Sequence, residues 1–359
     1  MTLTLVTGGT GFLGRHLVVA LARTGRPVRV LARPSSDVTG LSTLPGVEVV
    51  RGDLTSRDDL QRALQGVERV FNVAAETRDA QPRPTYRAVN ADAVETLLEL
   101  AHELGVARLV HTSSYFAIGR TGEPRSAPGF VADEYWTHDP GDMHDDHEES
   151  KYDAEHALNQ RVSLSEPVLA LIPTMMYGPE LRPVAGAAQL SAGNRIVRML
   201  AEHAAGKYPG LPGSGGQLWN LVHVEDVAAG HVAAMDSGDA SGRWPPPGWK
   251  HWHYILGGEN VTADELFVRF GRLASVQPPR HVGPSGLLGK LFGGASARSK
   301  ERYAMDSHSW AYTSAMAEHD FGYHARPLDE GLQQTVDWMG RSGLLPRAGS
   351  GSPSRASKP

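Results

Sequence analysis

The chain of 359 residues contains no cysteine. That absence removes a disulfide framework, a cysteine-ligated zinc or iron–sulfur site and a thiolate nucleophile, and it fits a reducing compartment. An excess of one charge is also lacking. Thirty-five Lys and Arg against 40 Asp and Glu leave a formal net charge of −5. No global basic field points to nucleic acid, so no nucleic-acid partner is expected. Long apolar runs are missing as well. Nothing approaches the roughly 18 apolar residues that span a bilayer, so no transmembrane segment is expected. Met1 runs almost directly into an apolar stretch, so no charged leader ahead of a cleavable signal is expected. The composition predicts a soluble, cytoplasmic α/β protein.

What is abundant is glycine and proline, 40 and 24 residues, so turns and close backbone approaches are expected. Short apolar runs at 3–7, 27–32, 47–50, 69–73, 109–111 and 168–172 read as strands. Between them, helical spacing appears at Phe12–Arg23, Arg57–Leu64, 88–104 and about 146–161. In the third of these, Val89, Ala93, Val94, Leu97, Leu98, Ala101 and Leu104 share one face. Strands alternating with helices argue a doubly wound parallel sheet. Beyond residue 172 the alternation weakens. Helices are expected at 189–205, 225–236, 263–273 and 328–340, with strands near 218–222 and 253–256.

The first strand and first helix are joined by Gly8-Gly9-Thr10-Gly11-Phe12-Leu13-Gly14. Gly8, Gly11 and Gly14 are three apart. Such spacing turns the chain tightly, lets backbone approach a pyrophosphate and presents free helix N–H groups to it. The expected organisation is therefore a Rossmann-like dinucleotide-binding domain over 1–175. A smaller substrate-binding lobe over 176–346 is interleaved with the sheet, and 347–359 forms a disordered tail of Gly, Ser, Pro, Ala and basic residues.

The GxxGxxG spacing resembles the short-chain dehydrogenase/reductase superfamily, and later segments agree. Asp53-Leu54 follows the third strand, where the resemblance implies an Asp that accepts from the adenine amino group. Asn72-Val73-Ala74-Ala75 resembles the segment beside the adenine ribose. His111-Thr112-Ser113-Ser114 ends a strand as the family's serine segment does. Pro173-Thr174-Met175-Met176-Tyr177-Gly178-Pro179 resembles the loop that holds the nicotinamide carboxamide. The run from Asn220 to Ala228 is similar to a signature of the extended subfamily, the NAD-dependent epimerases and dehydratases. Residues 196–211 and 254–260 resemble a narrower group, the dihydroflavonol-reductase-like, hopanoid-associated sugar epimerase-like and farnesol-dehydrogenase-like proteins. The resemblance implies cofactor contacts from Gly8, Gly11, Phe12, Leu13, Gly14, Asp53, Leu54, Ala74, Ala75, Thr112, Lys151, Pro173 and Met176.

An acidic residue at the end of the second strand would accept from the ribose 2′-OH and favour NAD. The sequence there is Ala32-Arg33-Pro34-Ser35-Ser36. Arg33 offers two donors to a 2′-phosphate, and Ser35, Ser36 and Arg15 are expected to help. NADP(H) is therefore the preferred cofactor, with NAD(H) as the alternative.

The family pairs a Ser with Tyr and Lys in YxxxK. Four residues place Tyr and Lys on one helix face. Ser114 matches the serine, and Lys151 in Ser150-Lys151-Tyr152-Asp153-Ala154-Glu155 matches the lysine. Four positions before Lys151 stands His147, and no lysine of the chain has Tyr there. Three readings stay open. His147 is the proton relay, with a pKa depressed by Lys151 so that it acts as a neutral base. Or Tyr115 or Tyr177 reaches in from a loop. Or the chain has become a dinucleotide-binding sensor or scaffold. The expected function is an NADP(H)-dependent oxidoreductase acting on a secondary alcohol or ketone of a small molecule. The alternatives are a nucleotide-sugar epimerase or dehydratase and a non-catalytic binder.

Other features have plainer expectations. His138, Asp139, Asp142, His144, Asp145, Asp146 and His147 are metal-ligand types. They read as an acidic loop feeding a helix N-terminus, with Asp145 or Asp146 as cap and no metal. The proline loop between Trp244 and Trp249 reads as peripheral packing. Leu287, Leu288, Leu291 and Phe292 suggest a mobile lid or a core-packed helix. By resemblance, the helices at 88–104 and 146–161 form a dimer interface, so a homodimer is expected.

Overall fold

The apolar runs become strands because the interior of a parallel sheet is covered on both faces. The computed structural model describes residues 2–78, 81–122, 126–137, 143, 146–163, 166–237, 244–245, 252–282 and 306–346. Its main sheet contains β1 (Thr4–Thr7), β2 (Val28–Ala32), β3 (Val47–Arg51), β4 (Arg69–Asn72), β5 (Arg108–Thr112), β6 (Val168–Pro173) and β10 (His253–Leu256). They lie in the order β10-β6-β5-β4-β1-β2-β3, all parallel. Strand order reverses at β1, between β2 and β4. In such sheets ligands bind in the crevice beyond the carboxyl ends at this point. A smaller sheet, β11 (Glu259–Thr262), β9 (Leu218–His223) and β7 (Met175–Tyr177), carries the second lobe, and β8 (Leu211–Pro212) pairs with β12 (His281–Val282).

The described helices are α1 (Phe12–Arg23), α2 (Arg57–Leu64), α3 (Arg83–Arg87), α4 (Ala93–Glu103), α5 (Tyr115–Ile118) and α6 (Asp146–Ser163). They continue with α7 (Arg195–Ala204), α8 (Val224–Asp236), α9 (Ala263–Ala274), α10 (Ala315–Phe321) and α11 (Leu328–Arg341). Strand alternation divides the core. Val6, Phe71, Val110 and Leu171 pack against α1 and α8 on one face. Leu5, Val70, Leu109 and Ala170 pack against α2, α4 and α6 on the other. A third cluster, centred on Trp219, Phe267, Phe270 and Trp310, fills the smaller lobe. There α9 starts in a capping box, in which Thr262 and Glu265 satisfy each other's backbone donors.

Two expected helices differ. The helix expected over 88–104 is preceded by α3 and begins as a π-helical turn, Ala88–Asp92, before α4. The π turn brings Asn90 into the interior, where it is 2% exposed. The helix expected over 189–205 starts only at Arg195. Before it, side chains compete for the backbone: Ser191 N–H and Oγ both donate to Glu180, and Asn194 Nδ2 donates to the Gly178 carbonyl. Trp244 is buried, with Nε1 donating to Ala234. The tail, the stretch holding Leu287, Leu288, Leu291 and Phe292, and His138, Asp139, Asp142, His144 and Asp145 lie outside the described residues.

Candidate active site

The site begins in the loop between β1 and α1. Gly8 has φ of +67°, and a Cβ there would stand 2.5 Å from the Ala74 nitrogen. A Cβ on Gly14 would collide with the Gly8 carbonyl. Both positions therefore demand glycine for the chain to fold back on itself. Gly11 caps α1 without a side-chain bond, and no acidic residue stands in the first turn. The leading N–H groups of α1 are thus left for an anion, which fits a dinucleotide pyrophosphate.

The loop forms the floor of a cavity of about 950 Å³ at the carboxyl ends of the main sheet. The residues singled out for cofactor and chemistry line it, except Arg15, Ser35 and Tyr177. Gly8, Gly11, Phe12, Leu13 and Gly14 form the floor, with Arg33 after β2, Asp53 and Leu54 after β3, and Ala74 and Ala75 after β4. Thr112, Ser114, His147, Lys151, Pro173 and Met176 lie at the end formed by β5, β6 and α6.

At the end of β2, Arg33 is exposed and lines the cavity; its guanidinium makes no hydrogen bond or ion pair among the described residues, and its charge acts on Glu76. Its turn is pinned by Arg51, whose Nη1 donates to the carbonyls of Arg33 at 2.9 Å and Ser36 at 3.0 Å. Ser36 lines the cavity and Ser35 does not. Arg15 does not serve as expected. It is buried, and its guanidinium donates to the carbonyls of Thr10, Asp37 and Thr39. It braces the loop after β2 and does not line the cavity. Asp53 accepts from the Thr55 N–H and hydroxyl through one carboxylate oxygen.

Ser114 lies two residues beyond β5 and caps α5. Its Oγ accepts from the Phe116 N–H at 3.3 Å, which leaves the hydroxyl hydrogen for a ligand oxygen. Lys151 is 4% exposed, and burial lowers its pKa to about 8. His147 lies one turn earlier on α6. Its ring stacks on Tyr86 at 5.3 Å and meets Phe116 edge-on at 5.3 Å. Its Nε2 is shut off from solvent, without a partner among the described residues. Burial, with the Lys151 charge second, drives its pKa down to about 3, so the imidazole is neutral at physiological pH. Tyr115 lines the same cavity. Tyr177 does not reach it, since its hydroxyl points to the Leu328 carbonyl.

Residues beyond the sequence-based set hold these groups in place. Asn90 Nδ2 donates to the Glu76 carbonyl and to Ser150 Oγ, and its Oδ1 accepts from the Glu76 N–H. Ser150 Oγ in turn donates to the His147 carbonyl at 2.8 Å. The π turn is thereby stapled both to the loop after β4 and to the first turns of α6. A polar row also crosses the strand ends. Thr7 donates to Asn72 at 2.5 Å, and Asn72 Nδ2 bonds His111 Nδ1 at 2.9 Å. Thr112 Oγ1 bonds His231 Nε2 at 2.8 Å, because the Val227 carbonyl fixes the other ring proton. The signal for Asn90 was an amide inside an apolar helical stripe.

Among the described residues, no group of three or more His, Asp or Glu gathers for a metal, and no helix is long and apolar enough to cross a membrane. Residues 4–244 match the model of the NAD-dependent epimerase/dehydratase family. The chain is 32% identical to sterol demethylase protein B of Methylococcus capsulatus over 289 residues, 79% of this chain and 78% of that protein. It is 28% identical to a putative dihydroflavonol 4-reductase of Synechocystis over 354 residues, 95% of each chain. The structure superposes on a Thermus thermophilus UDP-glucose 4-epimerase complexed with NAD, with a TM-score of 0.70 and 25% identity. That match covers 94% of this chain and 99% of the other.

Proposed function

The chain belongs to the NAD-dependent epimerase/dehydratase family, and from that premise we propose that it is an NADP(H)-dependent oxidoreductase acting on a secondary alcohol or ketone of an apolar, ring-bearing substrate. The observation that carries this reading is one cavity that joins the glycine loop to Ser114, His147 and Lys151. The nicotinamide, when bound, gives or takes the hydride. Ser114 would donate a hydrogen bond to the substrate oxygen, and Lys151 would hold the bound cofactor. His147 Nε2 accepts the hydroxyl proton in the oxidative direction. The imidazole stands in its neutral, proton-accepting form, which suits alcohol oxidation better than ketone reduction, and a pKa of about 3 makes it a weaker base than a free imidazole.

Preference for NADP(H) is supported by the Arg33 guanidinium, which lines the cavity without a hydrogen bond or ion pair among the described residues, and by the absence of an acidic side chain at the end of β2. Substrate class is supported by the wall. Pro84, Tyr86, Phe116 and Ile196 make it apolar. The guanidinium groups near it are already engaged: Arg78 by Glu76, Arg195 by Asp306, and Arg198 by the Leu190 and Ser191 carbonyls. A nucleotide-sugar diphosphate would compete with those bonds. Relatives named for sterol and dihydroflavonol substrates agree with this choice.

The test is purified protein with NADP and a panel of polycyclic secondary alcohols, following release of reduced cofactor. Net release supports the reading. Epimerisation without net release would move it to the nucleotide-sugar class. Tight cofactor binding without turnover, with chemistry appearing in His147→Tyr, would make the natural chain a binder.

A further inference from the structure

We propose that Arg51 is a positioning residue that determines cofactor specificity: from the end of β3 it sets the turn at 33–36, so that Arg33 and Ser36 meet the phosphate monoester on the adenosine 2′ oxygen of NADP(H). The proposal rests on the reading of the cavity as a site for NADP(H).

The geometry is laid down by the sheet. Arg51 is the last residue of β3 and stands in register with Ala32, the last residue of β2. The Gly52 N–H donates to the Ala32 carbonyl at 3.1 Å and carries the pairing one step further. The chain leaving β2 then folds into a tight turn, in which the Ser36 N–H donates to the Arg33 carbonyl at 2.9 Å. Pro34 stands at the second position, where its fixed φ suits such a turn. Arg51 Nη1 reaches across and donates to the carbonyls at both ends of the turn, those of Arg33 and Ser36. These are the two residues of the turn that line the cavity. Arg51 does not line it, so it acts through them.

An exposed arginine at the end of an edge strand is ordinarily solvated and free to move. Arg51 is exposed on the edge strand β3, yet it is held by two bonds to one turn, at a cost in side-chain entropy. Its charge makes no ion pair among the described residues, and neither does that of Arg33. The carboxylates of the flanking segments are engaged elsewhere. Asp37 pairs with Arg15, Glu48 with Arg29 and Glu76 with Arg78, while Asp53 accepts from Thr55. Two like charges thus meet at one turn without a counter-charge bonded to either. Such a pair repels itself in the free protein and is relieved by a dianion, whereas the 2′-hydroxyl of NAD gives no such relief. A site built for NAD would carry a carboxylate at this point. The two carbonyl bonds add order to charge. Without them the turn is free to move, and the ligand must order Arg33 itself, which weakens phosphate binding and leaves the glycine loop untouched.

Calorimetric titration of the cofactor-free protein with NADP, NAD, adenosine 2′,5′-bisphosphate and 5′-AMP reads this contact without turnover. In Arg51→Ala the dissociation constants for NADP and adenosine 2′,5′-bisphosphate should rise about fivefold to tenfold, while those for NAD and 5′-AMP stay within about twofold. The two ligands without a 2′-phosphate report whether the rest of the site is intact, which a general structural role would not leave unmoved. If Arg51→Ala does not fold, the same comparison is made in Arg51→Gln. Unmoved constants, or an equal rise for all four ligands, overturn the proposal. If NADP binding still weakens selectively in Arg33→Ala, the NADP(H) reading then stands without Arg51. If the natural chain binds NADP and NAD equally and Arg33→Ala alters neither, the NADP(H) reading falls together with the proposal.

Discussion

His147 shows how a neighbourhood decides what a side chain can do. In water an imidazole shares its proton near neutrality. Between Tyr86 and Phe116, one turn from a buried ammonium, it is neutral at any working pH. The pH dependence of turnover should therefore lack a histidine transition near 6.5 and follow Lys151 and Glu155 between about 7 and 8. Replacing His147 with Ala should lower kcat by about 10²–10⁴, the usual range for a positioned general base, with cofactor affinity little changed. Undiminished turnover in that variant would remove His147 from the chemistry. Arg33 makes the parallel case for the cofactor. A lost charge-assisted bond is worth about 1.5–3 kcal/mol. Arg33→Ala should thus weaken NADP binding by roughly tenfold to a hundredfold and leave NAD binding almost unchanged. Equal losses for the two cofactors would place the 2′-phosphate elsewhere.

Among the elements, the π turn Ala88–Asp92 is the one whose geometry the site depends on. Asn90 bonds both backbone groups of Glu76, and through Ser150 it reaches the His147 backbone. Asn90→Leu is close in size but leaves the Glu76 N–H without its partner. It should cost about 1–3 kcal/mol of stability and lower kcat more than it raises the KM for cofactor. A kcat unchanged beside a lowered Tm would make Asn90 a structural group only. Regular elements like α1 and α2 were readable because periodicity and capping act locally: Phe12–Arg23 and Arg57–Leu64 are where the pattern put them. The glycine loop was readable for the same reason, since tight turns constrain residue type. The π turn, the late start of α7 and the work of Arg15 were not. Each is set by partners distant in sequence, such as Asn90 with Ser150 or Asn194 with Gly178, and no local period encodes them. The replacement of the family's tyrosine by His147 was plain from spacing, but its surroundings came only with the fold, since Tyr86 and Phe116 arrive from other elements.

Across the whole molecule, buried ionisable groups set how stability changes with pH. His111, His223 and His231 are almost wholly buried, with pKa values lowered to about 3, about 3 and about 4 by desolvation. Their folded values lie below those of the unfolded chain, so unfolding takes up protons as soon as pH falls below about 6.5. Each contributes stability that is present above the unfolded pKa and is lost as pH falls toward the folded one. Glu134 and Glu155 act in the opposite sense. Burial raises both to about 7, so their protonated folded forms favour the native state at low pH, and that contribution fades between about 4.5 and 7. Glu134 matters to the fold because its carboxylate accepts from the Ile255 N–H on the edge strand β10. The histidines outnumber the glutamates, and His147 adds a fourth. Carboxylates held low by hydrogen bonds and ion pairs, such as Glu76 beside Arg78, act with the histidines. Thermal melts should therefore show Tm rising from about pH 4.5 to 6.5 and levelling near neutrality. His231→Gln, which keeps an amide for Thr112, should flatten the rise by up to about 1.4 kcal/mol per pH unit. A Tm that is flat or falls over that interval would mean that these imidazoles are protonated in the folded protein.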